Sequence, residues 1–164
     1  MIDLPTVIDV EASGFGAGGY PIEVGVAFPD GRSWCCLIRP EPGWSHWDAD
    51  AEAVHRISRD ILATHGRPVR DVALDLNRLL AGQTVYSDAW GNDRSWLALL
   101  FDAAAISQHF HLESLRTLLS DSQLEQWQDT RTGVIAALGQ KRHRASVDAM
   151  VIQHTFRESR GAIA

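Results

Sequence analysis

Two carboxylates at the end of a short apolar segment constrain this chain more than any other sequence feature. Residues 6–10 form a mostly apolar run after Pro5, and Asp9 and Glu11 lie at its carboxyl end. Side chains two residues apart on a strand point to the same face, about 6–7 Å apart. Isolated carboxylates are costly to bury, so the pair is tolerated on a buried strand if a divalent cation neutralises it. The alternative is a strand end that frays into solvent.

The order of the predicted elements indicates a mixed sheet covered by helices. Strands are predicted at residues 6–10, 22–28, 33–39 and 84–87, with a fifth around Phe110. Helices are predicted at residues 50–55, 58–65, 68–81, 92–105, 112–119, 121–138 and 145–158. The first three strands form an antiparallel meander, and the later alternation of strands and helices is typical of an α/β fold. We expect a single domain over residues 1–164.

The net charge limits how the chain can bind nucleic acid. Aspartate and glutamate outnumber lysine and arginine by 21 to 15, which gives a formal net charge of −6. An acidic chain gains nothing overall from the field of a polyanion. Binding through bulk positive charge is therefore excluded, whereas a local binding site is not.

The cysteines and the amino terminus favour a reducing, cytoplasmic setting. Cys35 and Cys36 are the only cysteines, and neighbours on a strand point to opposite faces, so a disulfide between them is geometrically poor. The first residues lack the basic and apolar regions of a signal peptide. No apolar run approaches the roughly 20 residues of a membrane span, so we expect no membrane association.

A glycine-rich segment directly after the first strand matches the dinucleotide fingerprint G-x-G-x-x-G at residues 14–19. That fingerprint binds a pyrophosphate only where its glycines open a helix. Here Tyr20 and Pro21 lead into the predicted strand at 22–28. The sequence therefore favours a flexible loop beside a functional site over a dinucleotide-dependent oxidoreductase.

A second group of polar residues lies near the carboxyl terminus. His143 directly precedes a predicted helix, and Asp148 lies in the first turns of that helix. A helix carboxylate could complete a site for a hard cation with Asp9 and Glu11, and a histidine on a mobile edge suits a general base. Taken singly, His143 also fits a loop histidine, and Asp148 fits a charge favoured by the helix dipole.

Together these motifs resemble those of the DEDDh 3′-5′ exonucleases, the DnaQ-like branch of the ribonuclease H-like fold. The matches are D-x-E at residues 9–11 and H-x-A-x-x-D at 143–148. Between them, residues 51–58 and 68–85 resemble the segments that lead to the second motif. The resemblance covers nearly the whole chain, and it implies a ribonuclease H-like mixed five-stranded sheet flanked by helices.

The second motif of the family is matched more loosely. Counting from the strand valine Val85 reaches Asn92, next to Asp93. We assign the motif to Asp93, because it precedes the apolar residues of a helix that would dock on the core. Asp88 is the rival, and it also fits a turn at the end of a strand. The residues after Glu11 depart from the threonines and leucine that are usual in the family.

The resemblance implies two-metal hydrolysis of phosphodiester bonds from the 3′ end, releasing nucleoside 5′-monophosphates. Asp9, Glu11 and Asp148 would hold one ion. Asp9 would bridge to a second ion, supported through water by Asp93. His143 would take the proton of the attacking water. Oxygen ligands with exchangeable water favour two Mg²⁺ or Mn²⁺ ions.

The resemblance also implies the residues that bind the 3′ end of the substrate. The backbone of Ala12 and Ser13 and the Ser13 hydroxyl would meet the terminal 3′-hydroxyl. Phe15 would stack on the last base, and His55 would line the same pocket. Stacking on an aromatic ring contributes roughly 1–3 kcal/mol per base and tolerates any base.

Three cations close to His143, at Lys141, Arg142 and Arg144, either contact backbone phosphates or form a solvated basic loop. The expected substrate is single-stranded or short DNA or RNA, without a choice between the two. Small members of the family form homodimers, so the resemblance allows a homodimer here. A catalytically silent nucleic-acid or protein-interaction domain of the same fold is the alternative function.

Overall fold

The computed structural model describes residues 4–139 and 143–161, and five strands in it form one mixed sheet. The strands are β1 (Val7–Ala12), β2 (Pro21–Ala27), β3 (Ser33–Leu37), β4 (Thr84–Ser87) and β5 (His111–Ser114). The helices are α1 (Ala49–His55), α2 (Arg59–His65), α3 (Val69–Leu80), α4 (Trp90–Ala104), α5 (Asp121–Leu138) and α6 (Ala145–Gly161), with a 3-10 helix at Leu115–Leu118. The sheet order is β3-β2-β1-β4-β5.

The strand directions confirm the mixed α/β sheet expected from the sequence. β1 pairs antiparallel with β2, and β2 with β3, as in a meander. β4 pairs parallel with β1 and with β5. The carboxyl ends of β1, β4 and β5 therefore meet at one edge of the sheet, where α/β folds commonly place their sites.

The glycine loop connects two strands and opens no helix, as predicted. β2 begins at Pro21, directly after the loop. Gly16 and Gly18 have φ angles of +86° and +88°, which glycine adopts at little cost. Since the glycines lead into a strand and not into a helix, the segment lacks the geometry of a dinucleotide fingerprint.

The central strand β1 faces two helical layers, because its side chains alternate between the faces of the sheet. Ile8 and Val10 are buried in the core formed with α3 and α4, whereas Val7 packs in a second core with α6. Asp9 and Glu11 follow Val7 at intervals of two residues. They therefore share its face, which is covered by α6.

A glycine in β2 allows the first turn of α6 to lie directly on the sheet. A Cβ atom at Gly25 would come within 2.2 Å of the backbone of Ala145 and Ser146. Ala145 and Ala149 are themselves completely buried. These small residues bring the start of α6, and with it Asp148, next to β1.

The prediction for residues 110–119 is wrong in its details. Phe110 precedes the fifth strand instead of lying in it, and the helix predicted at 112–119 is replaced by β5 and the short 3-10 helix. All four residues of β5 pair with β4. Hydrogen bonds across the sheet edge thus outweigh the helical pattern of the local sequence.

Two other expectations concern the cysteines and membrane-spanning helices. Cys35 is exposed and Cys36 is buried, and both are free thiols. Within residues 4–139 and 143–161, no helix has the length and apolar character needed to cross a membrane.

Candidate functional site

Three carboxylates predicted to bind metal lie together. One oxygen each from Asp9, Glu11 and Asp148 can be chosen so that all three lie within 4.8 Å of one another. Asp9 and Glu11 are partly accessible, and Asp148 is buried. An all-oxygen donor set at this spacing fits a hard divalent cation. The group lies where β1 ends and α6 begins. It therefore forms only when these two elements, which are far apart in the sequence, pack together.

The backbone around His143 is fixed by hydrogen bonds at the start of α6. Asp148 accepts a hydrogen bond from the His143 backbone N–H at 2.9 Å. His143 has a φ angle of +66°, in the left-handed region that is uncommon for residues other than glycine, although histidine is among those that adopt it most often. This conformation orients a histidine beside the acidic group.

A buried glutamate that sequence reasoning missed holds the same segment. Glu23 is completely buried on β2 and lies directly opposite Glu11 in the strand register. Its carboxylate accepts hydrogen bonds from Arg144 Nε at 3.1 Å and Nη2 at 2.6 Å, and from the Ala145 backbone N–H at 3.0 Å. The available signal was a charged residue at the second position of the otherwise apolar strand predicted at 22–28.

This contact defines where Arg144 lies. Its guanidinium is half-exposed and ion-paired with Glu23. The phosphate contact expected for Arg144 stays a prediction. Lys141 and Arg142, the other two cations of that prediction, lie outside the described residues.

The two aspartates considered for the second motif have different surroundings. Asp93 is 1% exposed and lines the same cavity as Asp9 and Glu11. Its carboxylate accepts a hydrogen bond from the Ser87 hydroxyl. Asp88 forms an ion pair with Arg131 at 2.7 Å. Asp93 lies outside the close group of three carboxylates, as a residue acting through bound water would.

Burial and like charges raise the pKa of the central carboxylates. The pKa of Asp9 lies well above its ordinary value because of burial first and then the charges of Asp93, Glu11 and Asp148. Burial also raises the pKa of Asp93 to about 7, against the lowering effect of the Ser87 hydrogen bond. A divalent cation would relieve this repulsion.

We expect the metal-free protein to lose stability as the pH rises from 5 to 8. Asp93 has an ordinary pKa of 3.8 and a folded-state pKa of about 7, so the folded state retains a proton that the unfolded state has released. Its contribution to the free energy of unfolding therefore falls with pH, by roughly 2–3 kcal/mol over this interval.

Urea unfolding in EDTA at the two pH values measures this loss. The Asp93→Asn variant should lose less stability than the wild type between pH 5 and pH 8, and the part that remains comes from Asp9, whose pKa is also raised. An Asp71→Asn control on the exposed face of α3 should lose as much as the wild type. A pH dependence equal in the wild type and in Asp93→Asn would contradict the prediction.

A cavity of about 410 Å³ opens beside the acidic group. Its lining combines acidic, aromatic and small residues from β1, the glycine loop, α1 and α4: Asp9, Val10, Glu11, Ala12, Gly14, Phe15, Asp48, Asp50, Ala51, Val54, His55, Ala89, Asn92, Asp93, Trp96 and His143. The ring centroids of Phe15 and Trp96 are 5.8 Å apart. Phe15 is 71% exposed, so its ring is available to a ligand.

Sequence reasoning found Phe15 but not Trp96, because a tryptophan on an amphipathic helix is equally typical of the core. Asp48 and Asp50 were also missed, since the sequence places Asp48 in a loop and Asp50 at the start of a helix. The Asp48 carboxylate does accept a hydrogen bond from the Asp50 backbone N–H at 2.8 Å, as an N-cap residue. Only the packing of α1 against the glycine loop places these residues in the cavity.

One ring nitrogen of His55 is buried beside the cavity. Its Nδ1 accepts a hydrogen bond from the Ile57 backbone N–H at 3.0 Å, so Nε2 carries the proton of the neutral ring. Nε2 is buried and has no hydrogen-bond partner among the described residues. Burial lowers the pKa of His55, which favours this neutral form.

Ala12 and Ser13 lie differently with respect to the cavity. Ala12 lines it, whereas Ser13 is completely buried. The Ser13 hydroxyl accepts a hydrogen bond from the Tyr20 backbone N–H at 3.1 Å and lies 3.1 Å from Nδ1 of His46. These contacts give Ser13 a role in closing the glycine loop, and its contact with a substrate stays a prediction.

Comparison with solved structures decides the fold. E. coli exonuclease I in complex with a dA16 oligonucleotide has a TM-score of 0.67 and 10% identity, covering 91% of this chain and 39% of that chain. The chain has the ribonuclease H-like fold of that exonuclease. Exonuclease I from Methylocaldum szegediense has a TM-score of 0.59 and 12% identity, covering 74% of this chain and 29% of that one.

A third similar structure is the zinc ion bound form of the E. coli exonuclease I complex with single-stranded DNA. It has a TM-score of 0.57 and 11% identity, and it covers 69% of this chain and 28% of that chain. The chain thus spans between 28 and 39% of the length of these exonucleases. No protein-family model matches the chain, and no curated protein does.

Proposed function

We propose that this protein is a metal-dependent 3′-5′ exonuclease of the DEDDh type, acting on single-stranded or short DNA or RNA. The observation that carries the proposal is the close group formed by Asp9, Glu11 and Asp148 beside the cavity that holds Phe15 and His143. The similar structures in complex with single-stranded DNA or an oligonucleotide support a single-stranded substrate.

The acidic residues are proposed to hold two Mg²⁺ or Mn²⁺ ions. Asp9, Glu11 and Asp148 would be ligands of one ion, with Asp9 shared by both and Asp93 supporting the second through water. Bound there, the ions would lower the pKa of an attacking water and neutralise charge on the phosphodiester. The all-oxygen donors and the raised pKa of Asp9 both fit this assignment.

His143 is proposed to accept the proton of the attacking water as general base. It lines the cavity that contains Asp9 and Glu11. Its backbone N–H is tied to Asp148, and the next two residues are tied to Glu23. These contacts hold His143 beside the carboxylates.

The terminal nucleotide is proposed to occupy the cavity between the glycine loop and α4. Phe15 and Trp96 provide aromatic surface for the last base, and Nε2 of His55 and the Ala12 backbone face the sugar. Products would be nucleoside 5′-monophosphates. Asp48 and Asp50 add two further carboxylates to the cavity lining, and their charge disfavours a phosphate beyond the 3′-hydroxyl.

A cleavage assay tests the proposal. Purified protein is incubated with 5′-labelled single-stranded DNA and RNA in Mg²⁺ or Mn²⁺, and products are resolved to single nucleotides. We expect a 3′-shortening ladder that is absent in EDTA and in the Asp9→Ala and His143→Ala variants. An exposed histidine on α2, His65, provides the matched control His65→Ala.

Two outcomes would overturn the proposal. Absence of shortening on every substrate in both metals excludes the nuclease, and tight binding without hydrolysis would then favour a silent domain. Unchanged activity in Asp9→Ala would show that the acidic group takes no part in the reaction.

Replacing Phe15 by alanine should raise KM for oligonucleotides by about 10-fold, because stacking of one base contributes roughly 1–3 kcal/mol. Folding stability should hardly change, since the ring is 71% exposed. Initial rates over a range of substrate concentrations measure the effect. The control is Leu74→Ala, at an exposed position of α3. An unchanged KM would show that Phe15 does not contribute to substrate binding.

A further inference from the structure

A second cavity, of about 250 Å³, opens at the same edge of the sheet as the acidic group. It is lined by residues that follow β4 and β5 and by one face of α5: Asp88, Leu115, Arg116, Leu119, Leu124, Trp127 and Arg131. β4 and β5 run parallel to β1. Residues that follow these strands therefore lie at the edge where β1 carries Asp9 and Glu11.

The two cavities are separated by a single turn of the chain. Asp88 lines the second cavity, and the next residue, Ala89, lines the first. Asp148 also lies close enough to Asp88 for its charge to raise the pKa of Asp88, after the larger effects of burial, which raises this pKa, and of Arg131, which lowers it. The first cavity is built from α1 and α4, whereas the second is built from α5 on the other side of the sheet.

The second cavity combines an apolar floor with guanidinium groups. Trp127 is half-buried, with part of its ring in the core beside α6 and part on the cavity wall. Arg116 is exposed, and within residues 4–139 and 143–161 its guanidinium has no ion-pair partner. Arg131 pairs with Asp88, but its Nε is buried without a hydrogen-bond partner among the described residues.

We propose that this second cavity binds a nucleotide on the 5′ side of the scissile bond, with its base on Trp127 and its phosphate on Arg116. Aromatic surface next to a guanidinium is the combination that binds a nucleotide of a single strand. The proposal rests on the proposed exonuclease function. A strand whose 3′ end occupies the first cavity would cross the sheet edge at the acidic group and reach the second cavity beyond Asp88.

The proposed contact predicts a dependence on the part of the substrate that lies upstream. The p-nitrophenyl ester of thymidine 5′-monophosphate has no upstream nucleotide, whereas an oligomer of eight deoxythymidines has several. We expect Arg116→Ala to lower kcat/KM for the oligomer by about 10-fold, as for loss of a charge-assisted hydrogen bond. Hydrolysis of the ester should stay within a factor of two of wild type.

A binding measurement in EDTA tests the same contact without catalysis. The anisotropy of a labelled oligomer gives Kd as a function of salt. For a single strand, loss of one phosphate contact lowers the slope of log Kd against log salt by about 0.7. Quenching of tryptophan fluorescence by the oligomer should also be smaller in Trp127→Phe, which keeps an aromatic ring in the core.

Arg32, on the turn between β2 and β3, provides the control Arg32→Ala, because this turn lies at the opposite edge of the sheet. If Arg116→Ala lowers the rate on the ester and on the oligomer equally, or changes neither, the second cavity is not a nucleotide site. If the wild type hydrolyses neither substrate in Mg²⁺ or Mn²⁺, the exonuclease function itself fails. The two failures are therefore distinguishable.

Discussion

Replacing Asp9 by asparagine should abolish the proposed 3′ shortening and at the same time stabilise the metal-free protein. We expect kcat/KM to fall by more than about 100-fold, because loss of even an outer-shell partner of a catalytic metal typically costs 10–100-fold. We expect the free energy of unfolding in EDTA at pH 8 to rise, because the charged form of Asp9 is penalised in the folded state and asparagine carries no charge.

The loss of activity and the gain of stability both follow from the surroundings of Asp9. Burial and the neighbouring carboxylates Asp93, Glu11 and Asp148 all penalise its charged form. Asparagine has nearly the same shape and carries no charge, so the metal-free fold no longer bears this cost. The same charge is what a divalent cation would bind.

Thermal and urea unfolding with and without Mn²⁺ measure both effects. A ligand at 100 times its Kd stabilises the folded state by about 2.7 kcal/mol, so wild type should gain stability from Mn²⁺ and Asp9→Asn should gain less. Asp71→Asn, on the exposed face of α3, should behave as wild type does. Lower stability of Asp9→Asn in EDTA, or retained activity, would contradict the prediction.

Replacing Arg144 by alanine should destabilise the protein by roughly 2–4 kcal/mol. The Glu23 carboxylate is completely buried, and Arg144 donates to both of its oxygens. Removing one partner of such a pair leaves an uncompensated buried charge. The estimate is lowered from the 3–5 kcal/mol of fully buried pairs because the Arg144 side chain is 48% exposed.

A double-mutant cycle separates this role from substrate binding. Adding Glu23→Gln to Arg144→Ala should restore part of the lost stability, since the buried charge is then absent. Arg144→Lys should lie between wild type and alanine, because an ammonium cannot reproduce the bidentate contact. If Arg144→Ala leaves stability unchanged and only raises KM, the role of Arg144 is to bind the substrate and not to stabilise the Glu23 carboxylate.

The acidity of the chain has a local origin in the proposed site. The four predicted metal ligands, Asp9, Glu11, Asp93 and Asp148, carry four of the six net negative charges. Two divalent cations would offset these four charges. The net negative charge that remains still disfavours non-specific binding of long duplexes. It is consistent with the proposed enzyme, which would hold one chain end through a small site.

Local patterns in the sequence were sufficient for most elements of the fold. Periodicity and turn residues located β1 to β4 and most helices, because these signals act over a few residues. They failed at residues 112–119, where pairing of β5 with β4 decides the conformation. A sheet-edge hydrogen bond depends on a partner strand and leaves no mark in the local pattern.

The sequence by itself determined which carboxylates share a face and where the glycine loop and the histidine motif stand, because strand alternation and helix starts are local properties. Only the tertiary structure decided that Glu23 anchors Arg144, 121 residues away, and that Trp96 packs beside Phe15 in the cavity lining. It also placed Arg116 and Trp127 in one cavity. These contacts join elements distant in the chain, and their geometry is set by how α4, α5 and α6 pack on the sheet.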